Sequence, residues 1–124
     1  MLSIMAKIKN YRDLVVWQKA MDLTTMLYQI VRKLPKEETY ALSDQMRRAA
    51  ISIPSNIAEG FGRNSTKEYT HFLYITKGSV CELETQLMLC VRIEYITEIE
   101  IQPIMILLEE IGKMITTITK NLNA

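Results

Sequence analysis

Apolar positions recur at three- and four-residue spacing along most of the chain, which predicts helices and leaves no alternating stretch suited to a strand hairpin. In the first helical segment Leu14, Trp17, Met21, Thr24, Tyr28 and Val31 form one stripe, and Val16, Ala20, Leu23, Leu27, Ile30 and Leu34 form a second beside it. Asp13 is the expected N-cap, and Pro35 ends the helix. So wide an apolar arc exceeds what one face of a small bundle needs, so part of it is expected to be covered by another subunit. A second helix is predicted from about Leu42 to Phe61. A third begins at Ser65-Thr66-Lys67-Glu68, a capping-box pattern, and carries Tyr69, Phe72, Thr76, Ser79, Leu83, Gln86 and Cys90 on one face. The fourth starts between Glu98 and Pro103, and its Ile104, Leu108, Ile111, Ile115, Ile118 and Leu122 repeat in the spacing of an antiparallel bundle helix.

Four long helices joined by short connections specify an all-α fold, an antiparallel up-down-up-down four-helix bundle, as one domain over residues 1–124. Four glycines, three prolines and 7% aromatic residues are poor material for a turn-rich sheet protein, which supports the same class. The net charge of +1 gives no case for a strongly basic nucleic-acid binder. The charge is unevenly placed, however. Residues 1–80 hold twelve basic and seven acidic side chains, residues 81–124 three and seven, so one basic region is possible in the folded molecule. The opening MLSIMAKIKN has no apolar core of signal-peptide length, and charges interrupt every later apolar run, so a cytoplasmic protein with no membrane role is expected. Cys81 and Cys90 lie about 13 Å apart along one predicted helix, too far for a disulfide. Both are expected as buried small apolar residues.

The stretch RRAAISIPSNIAEGFGR, Arg47 to Arg63, carries the candidate chemistry. Pro54 has no N–H and its ring crowds the Ala50 carbonyl, so a kink with exposed backbone acceptors is expected in the second helix. Ser52, Ser55 and Asn56 stand where they could rebond those groups. Gln45, Arg48, Ser52, Asn56, Glu59 and Arg63 share one helical face. One reading makes Gln45, Ser52, Asn56 and Glu59 a structural polar network, buried or interfacial, with Glu59 paired to Arg48 or Arg63. The other presents Arg47, Arg48 and Arg63 to phosphates. An enzyme built on Glu59, Asn56 and Arg63 is a third reading, but no second catalytic group is identifiable. The single histidine, His71, has no metal-ligand partner at helical spacing and Glu68 as a possible salt-bridge partner, and GFGR at 60–63 lacks the spacing of a phosphate loop. No metal or cofactor is called for, and no catalytic residue is named.

The segments DLVVWQKA (13–20), QMRRAAISIPSNIAEGFGR (45–63), KEYTHFLYITKGSVCELETQL (67–87) and the Glu94-Tyr95 region resemble the bacterial four-helix-bundle family known as 23S rRNA-intervening sequence proteins. The match runs to about residue 96, with the fourth helix similar only in pattern. Ala41 departs from it, since the family pattern usually has Gly before Leu42. The resemblance implies a left-handed bundle assembled as a ring-shaped homopentamer, with RNA or a ribonucleoprotein as partner and no reaction. The expected function is therefore non-enzymatic: an oligomeric bundle binding structured RNA through Arg47, Arg48, Arg63, Lys67 and Lys77. The alternative is a protein–protein scaffold whose polar row is structural.

Overall fold

The computed structural model describes residues 8–124; residues 1–7, most of the opening read for a signal peptide, lie outside them. Four α-helices follow in order, α1 (Val15–Val31), α2 (Leu42–Phe61), α3 (Thr66–Arg92) and α4 (Glu98–Leu122), with no strand among the described residues. Short 3-10 turns at Tyr11–Asp13 and Lys36–Glu38 flank α1. Each helix packs on the next and α4 returns to α1, so the four enclose one core. No helix among the described residues is long and apolar enough to cross a membrane.

The core takes one side of each predicted pattern. On α1 the stripe of Val16, Ala20, Leu23, Leu27 and Ile30 is buried, whereas Met21 and Tyr28 of the neighbouring stripe stay exposed. Met46, Ala50, Ile53 and Ile57 of α2 meet Leu73, Leu83 and Leu87 of α3 and Ile104, Leu108, Ile111 and Ile115 of α4. Ile118 and Leu122 are only partly buried, and Ile101 and Thr119 join the α4 face instead. Cys90 is buried with its Sγ 3.7 Å from Met46 Sδ, and that burial pushes its thiol up to about 11. Cys81 corrects the expectation of two buried cysteines: it is exposed at the groove between α3 and α4.

The helix ends differ from the sequence reading in instructive ways. Asp13 does not cap α1. It closes the preceding 3-10 turn, which Asn10 caps by accepting from Arg12 N–H, and Leu14 precedes α1 with no side-chain cap. At α3, Ser65 accepts from Glu68 N–H, which is half of the expected capping box. The full reciprocal box forms at α4, where Thr97 and Glu100 bond each other's backbone. Glu100 also takes Lys33 Nζ at 2.5 Å, and this ion pair, with the Thr97 bonds, holds its carboxyl down to about 2. The turn after α3 places Glu94 at φ 71°, with Tyr95 N–H returning to Cys90 O at 2.9 Å and Glu94 N–H to Val91 O at 3.0 Å. That bond pair is a Schellman stop in which glutamate occupies the position usually given to glycine.

Helix α2 continues through Pro54 as one element. Proline removes the amide that would bond the Ala50 carbonyl. Thr24 Oγ1 on α1 lies 3.2 Å from that carbonyl and 2.9 Å from its own Ala20 carbonyl, so one hydroxyl serves both helices. On the other side of α2, Ser52 Oγ lies 2.6 Å from Ser79 Oγ of α3 and donates to Ala49 O at 2.7 Å. The α2–α3 seam is close enough that a Cβ on Gly60 would stand 2.6 Å from Phe72 Cβ.

Substitutions at three positions check this packing by urea denaturation. Thr24→Val keeps the shape but strands the Ala50 acceptor, and is expected to cost about 1–3 kcal/mol, with Thr24→Ser restoring most of it. Gly60→Ala is expected to destabilise by about 1–3 kcal/mol through the clash with Phe72. Gly78→Ala, with open space around it, should instead stabilise by about 0.5–1 kcal/mol. Equal effects at the two glycines would contradict the close α2–α3 approach.

Candidate nucleic-acid interface

The bundle end where α1 stops and α2 begins gathers cations. Pro35 cannot continue α1, so the chain turns through Lys36–Glu38 and folds back over the helix end. The turn brings Arg32, Lys36 and Arg47 into the wall of one cleft of 470 Å³, with Tyr28, Thr39 and Ser43. Arg47 Nη2 donates to Thr39 O at 3.0 Å, which anchors the guanidinium while leaving its other donors available. Ala41 precedes α2 without a side-chain cap, so the first amides of α2 add the positive end of a helix dipole. No carboxylate lines the cleft. Glu38 accepts from Tyr95 Oη at 2.9 Å, and Asp44 is paired with Arg48 Nε at 2.9 Å. The bond to Glu38 is the main reason the Tyr95 phenol titrates above its usual range.

The five basic residues singled out in the sequence do not form one surface within the chain. Arg47 is in α2 and Arg63 lies just past its C-terminal end, sixteen residues on and roughly 24 Å away along the axis. Arg48 is exposed beside Asp44. Arg63 pairs with Glu59 at 3.0 Å and stacks over the Phe72 ring, 5.3 Å from its centroid. Lys67 is exposed in the first turn of α3, and Lys77 Nζ meets Thr116 Oγ1 across the α3–α4 groove.

The polar row divides. Ser52 and Asn56 are half-buried and structural, Asn56 Nδ2 donating to Ser52 O at 2.8 Å. Of the network expected to be buried or interfacial, Ser52 and Asn56 are half-buried and joined by Ser79, whereas Gln45 and Glu59 are exposed in the single chain, Glu59 paired to Arg63 as one of the two expected partners. The reason is rotational: Gln45 and Glu59 fall outside the arc that faces α1 and α3. Ser55 is also exposed, and the freed Ala50 carbonyl is met from α1 rather than from within α2. His71 is exposed with its ring edge against Phe72, and no group of three metal-ligating side chains occurs among the described residues.

A family model described as 23S rRNA-intervening sequence protein matches residues 12–117. The chain belongs to that family. The match takes in most of α4, so the similarity extends past the residue-96 limit read from the motifs. Among solved structures, the crystal structure of a protein with unknown function from the S23 ribosomal protein family of Bacteroides thetaiotaomicron is similar. Its TM-score is 0.79 at 29% identity, covering 86% of this chain and 99% of that one. Comparison with curated proteins gave no match.

The cleft sets Tyr28, Arg32 and Lys36 beside Arg47, three residues that the sequence reading did not link with it. Their spacing at successive four-residue steps ahead of and across Pro35 was the available signal, since it puts an aromatic and two cations at one helix end. For the exposed Glu59–Arg63 pair, Glu59→Ala is expected to change stability by no more than about 0.5 kcal/mol. A loss of several kcal/mol in the same urea titration would place Glu59 in a desolvated network instead.

Proposed function

We propose that the protein is a non-enzymatic, self-associating helical bundle that binds structured RNA through the cleft of Arg32, Lys36 and Arg47. The observation that carries this reading is a concave site with three cations, an exposed tyrosine, an uncapped helix start and no carboxylate in its wall. Guanidinium forks and amides suit phosphate oxygens, and an aromatic face suits an unpaired base. Arg48, Arg63, Lys67 and Lys77 lie elsewhere and would contribute only as a diffuse field. Self-association is supported by apolar residues left open outside the cleft, Met21 on α1 and Ile51 on α2. The family resemblance suggests five copies, which would multiply one modest cleft into a ring of them.

A scaffold role without RNA is the second reading, favoured by the carboxylates that already neutralise Arg48 and Arg63. Fluorescence anisotropy with a labelled ribosomal-RNA hairpin at several salt concentrations separates the two, with oligomeric mass followed by light scattering. The expected result is sub-micromolar binding at low salt. Arg32→Ala with Arg47→Ala should weaken it at least about tenfold and lower the salt slope by about two, whereas Arg63→Ala should have little effect. The double variant loses the Thr39 bond, so its melting curve is recorded alongside. An intact oligomer that binds no RNA at low salt would overturn the proposal and favour the scaffold.

A further inference from the structure

The groove between α3 and α4 is a surface that the RNA reading does not use. Near the end of α3 it holds a cavity of 450 Å³ lined by Met88, Glu98, Ile99, Ile101, Gln102 and Met105. The core takes Ile101, Ile104 and Leu108 of α4, and apolar positions outside that stripe have no helix to cover them. Met88 is 49% exposed and Ile99 81%, and Ile106, seven residues beyond Ile99 and so on the same side of α4, is 55% exposed. One exposed apolar side chain needs no explanation. Here Met88 and Ile99 share a concavity with the half-buried Met105, and Ile106 extends the apolar row along α4.

Carboxylates bracket this apolar stretch. Glu98 stands in the cavity wall at the start of α4, and no basic side chain lines that wall; Arg92, the last residue of α3, lies outside it. One turn before Met88 on α3 is Glu84, which shares the next cavity along the groove with Glu109 of α4. Burial, and then the Glu109 charge, hold the Glu84 carboxyl above its usual range. Glu109 is paired with Lys113 at 3.2 Å on its own helix, whereas Glu84 and Glu98 have no ion-pair partner among the described residues. Lys77, the other cation of that second cavity, is two turns from Glu84 and bonds Thr116. The acidic excess of residues 81–124 is thus divided: Glu100 and Glu110 are neutralised by Lys33 and Lys19 of α1, and Glu84 and Glu98 are left facing the groove.

We infer that this groove docks a basic amphipathic helix of a partner protein, its apolar face on Met88, Ile99 and Met105 and its cations on Glu84 and Glu98. Charge selects the occupant: unpaired carboxylates at the two ends of an apolar stretch are complementary to cations at the two ends of an apolar helix face. Glu109, level with Glu84, is eleven residues from Glu98, about 16 Å or three helical turns, so the partner's basic residues stand that far apart. Methionine is unbranched and adaptable, so Met88 and Met105 can seat apolar side chains of differing shape. The same carboxylates repel phosphates, which makes this flank a site of different chemistry from the basic cleft and independent of it.

The probe is a fluorescein-labelled synthetic helical peptide, with two lysines about three turns apart and leucines between them on the same face, added to the full chain. Its control carries glutamate in place of the two lysines. The lysine peptide is expected to raise the anisotropy saturably, to bind less well as salt is added, and to move the NMR methyl signals of Met88 and Met105. The glutamate control should bind at least about tenfold more weakly. Glu84→Gln with Glu98→Gln should also cost about tenfold in affinity for the lysine peptide. That double variant should melt no lower than the parent, since Glu84→Gln removes the repulsion with Glu109. Met88→Ser with Ile99→Ser, both at exposed positions, should weaken the peptide by a similar factor. No binding of the lysine peptide, equal binding of the two peptides, or undiminished binding to the glutamine variant would overturn the site. Met88 and Met105 signals that move with protein concentration but not with the lysine peptide would assign the groove to a second copy of the chain and overturn the partner helix.

Discussion

Proline at position 54 leaves the Ala50 carbonyl without its helical amide, and α1 supplies the replacement through Thr24 Oγ1. An unmet buried acceptor would cost about as much as a substantial part of a small domain's stability, so the contact constrains how α1 lies on α2. With Thr24 turned to Ala50, the stripe of Ala20, Leu23 and Leu27 enters the core while Met21 and Tyr28 stay at the surface. Ser52 and Ser79 tie the opposite flank of α2 to α3 at 2.6 Å. Helix α2 is thus fixed from both sides by short polar contacts, and Gly60 lets its far end approach Phe72 closely.

The fold was legible because its information is periodic. The limits of α2, the run Ile104, Leu108, Ile111 and Ile115 of the α4 stripe and the Ser65 start of α3 follow from spacing and one capping residue, and the structure has them in place. What escaped was whatever depended on rotation about a helix axis or on contacts between helices. Wheel positions put Gln45 and Glu59 on the same face as Ser52, but the interhelical seam covers only part of that face. No local rule ties Thr24 to Ala50, twenty-six residues away. Asp13 looked like a cap because Asp is a good one; Asn10, three residues earlier, formed a 3-10 turn first.

The candidate interface was legible in part for the same reason. Arg47 stood out beside Pro54, whereas Arg32 and Lys36 looked like ordinary charges around a helix stop. Only the turn after Pro35 brings them to face Arg47. The interior polar groups and the basic cleft are accordingly separate parts of one molecule. Ser52 and Asn56 are consumed by backbone and neighbouring hydroxyls, while Arg32 and Lys36 line a cleft open to solvent. That separation agrees with a family in which the fold is well marked and the chemistry is not.

The most direct measurement is ultraviolet cross-linking of the protein to a ribosomal-RNA hairpin, with the linked peptides located by mass spectrometry. Tyr28 and the residues around Arg32 to Arg47 are expected to carry the cross-links, with none at Ser52 or Asn56. Cross-links confined to the outer faces of α3 and α4, or their absence under conditions where the RNA is bound, would contradict the assignment of the cleft.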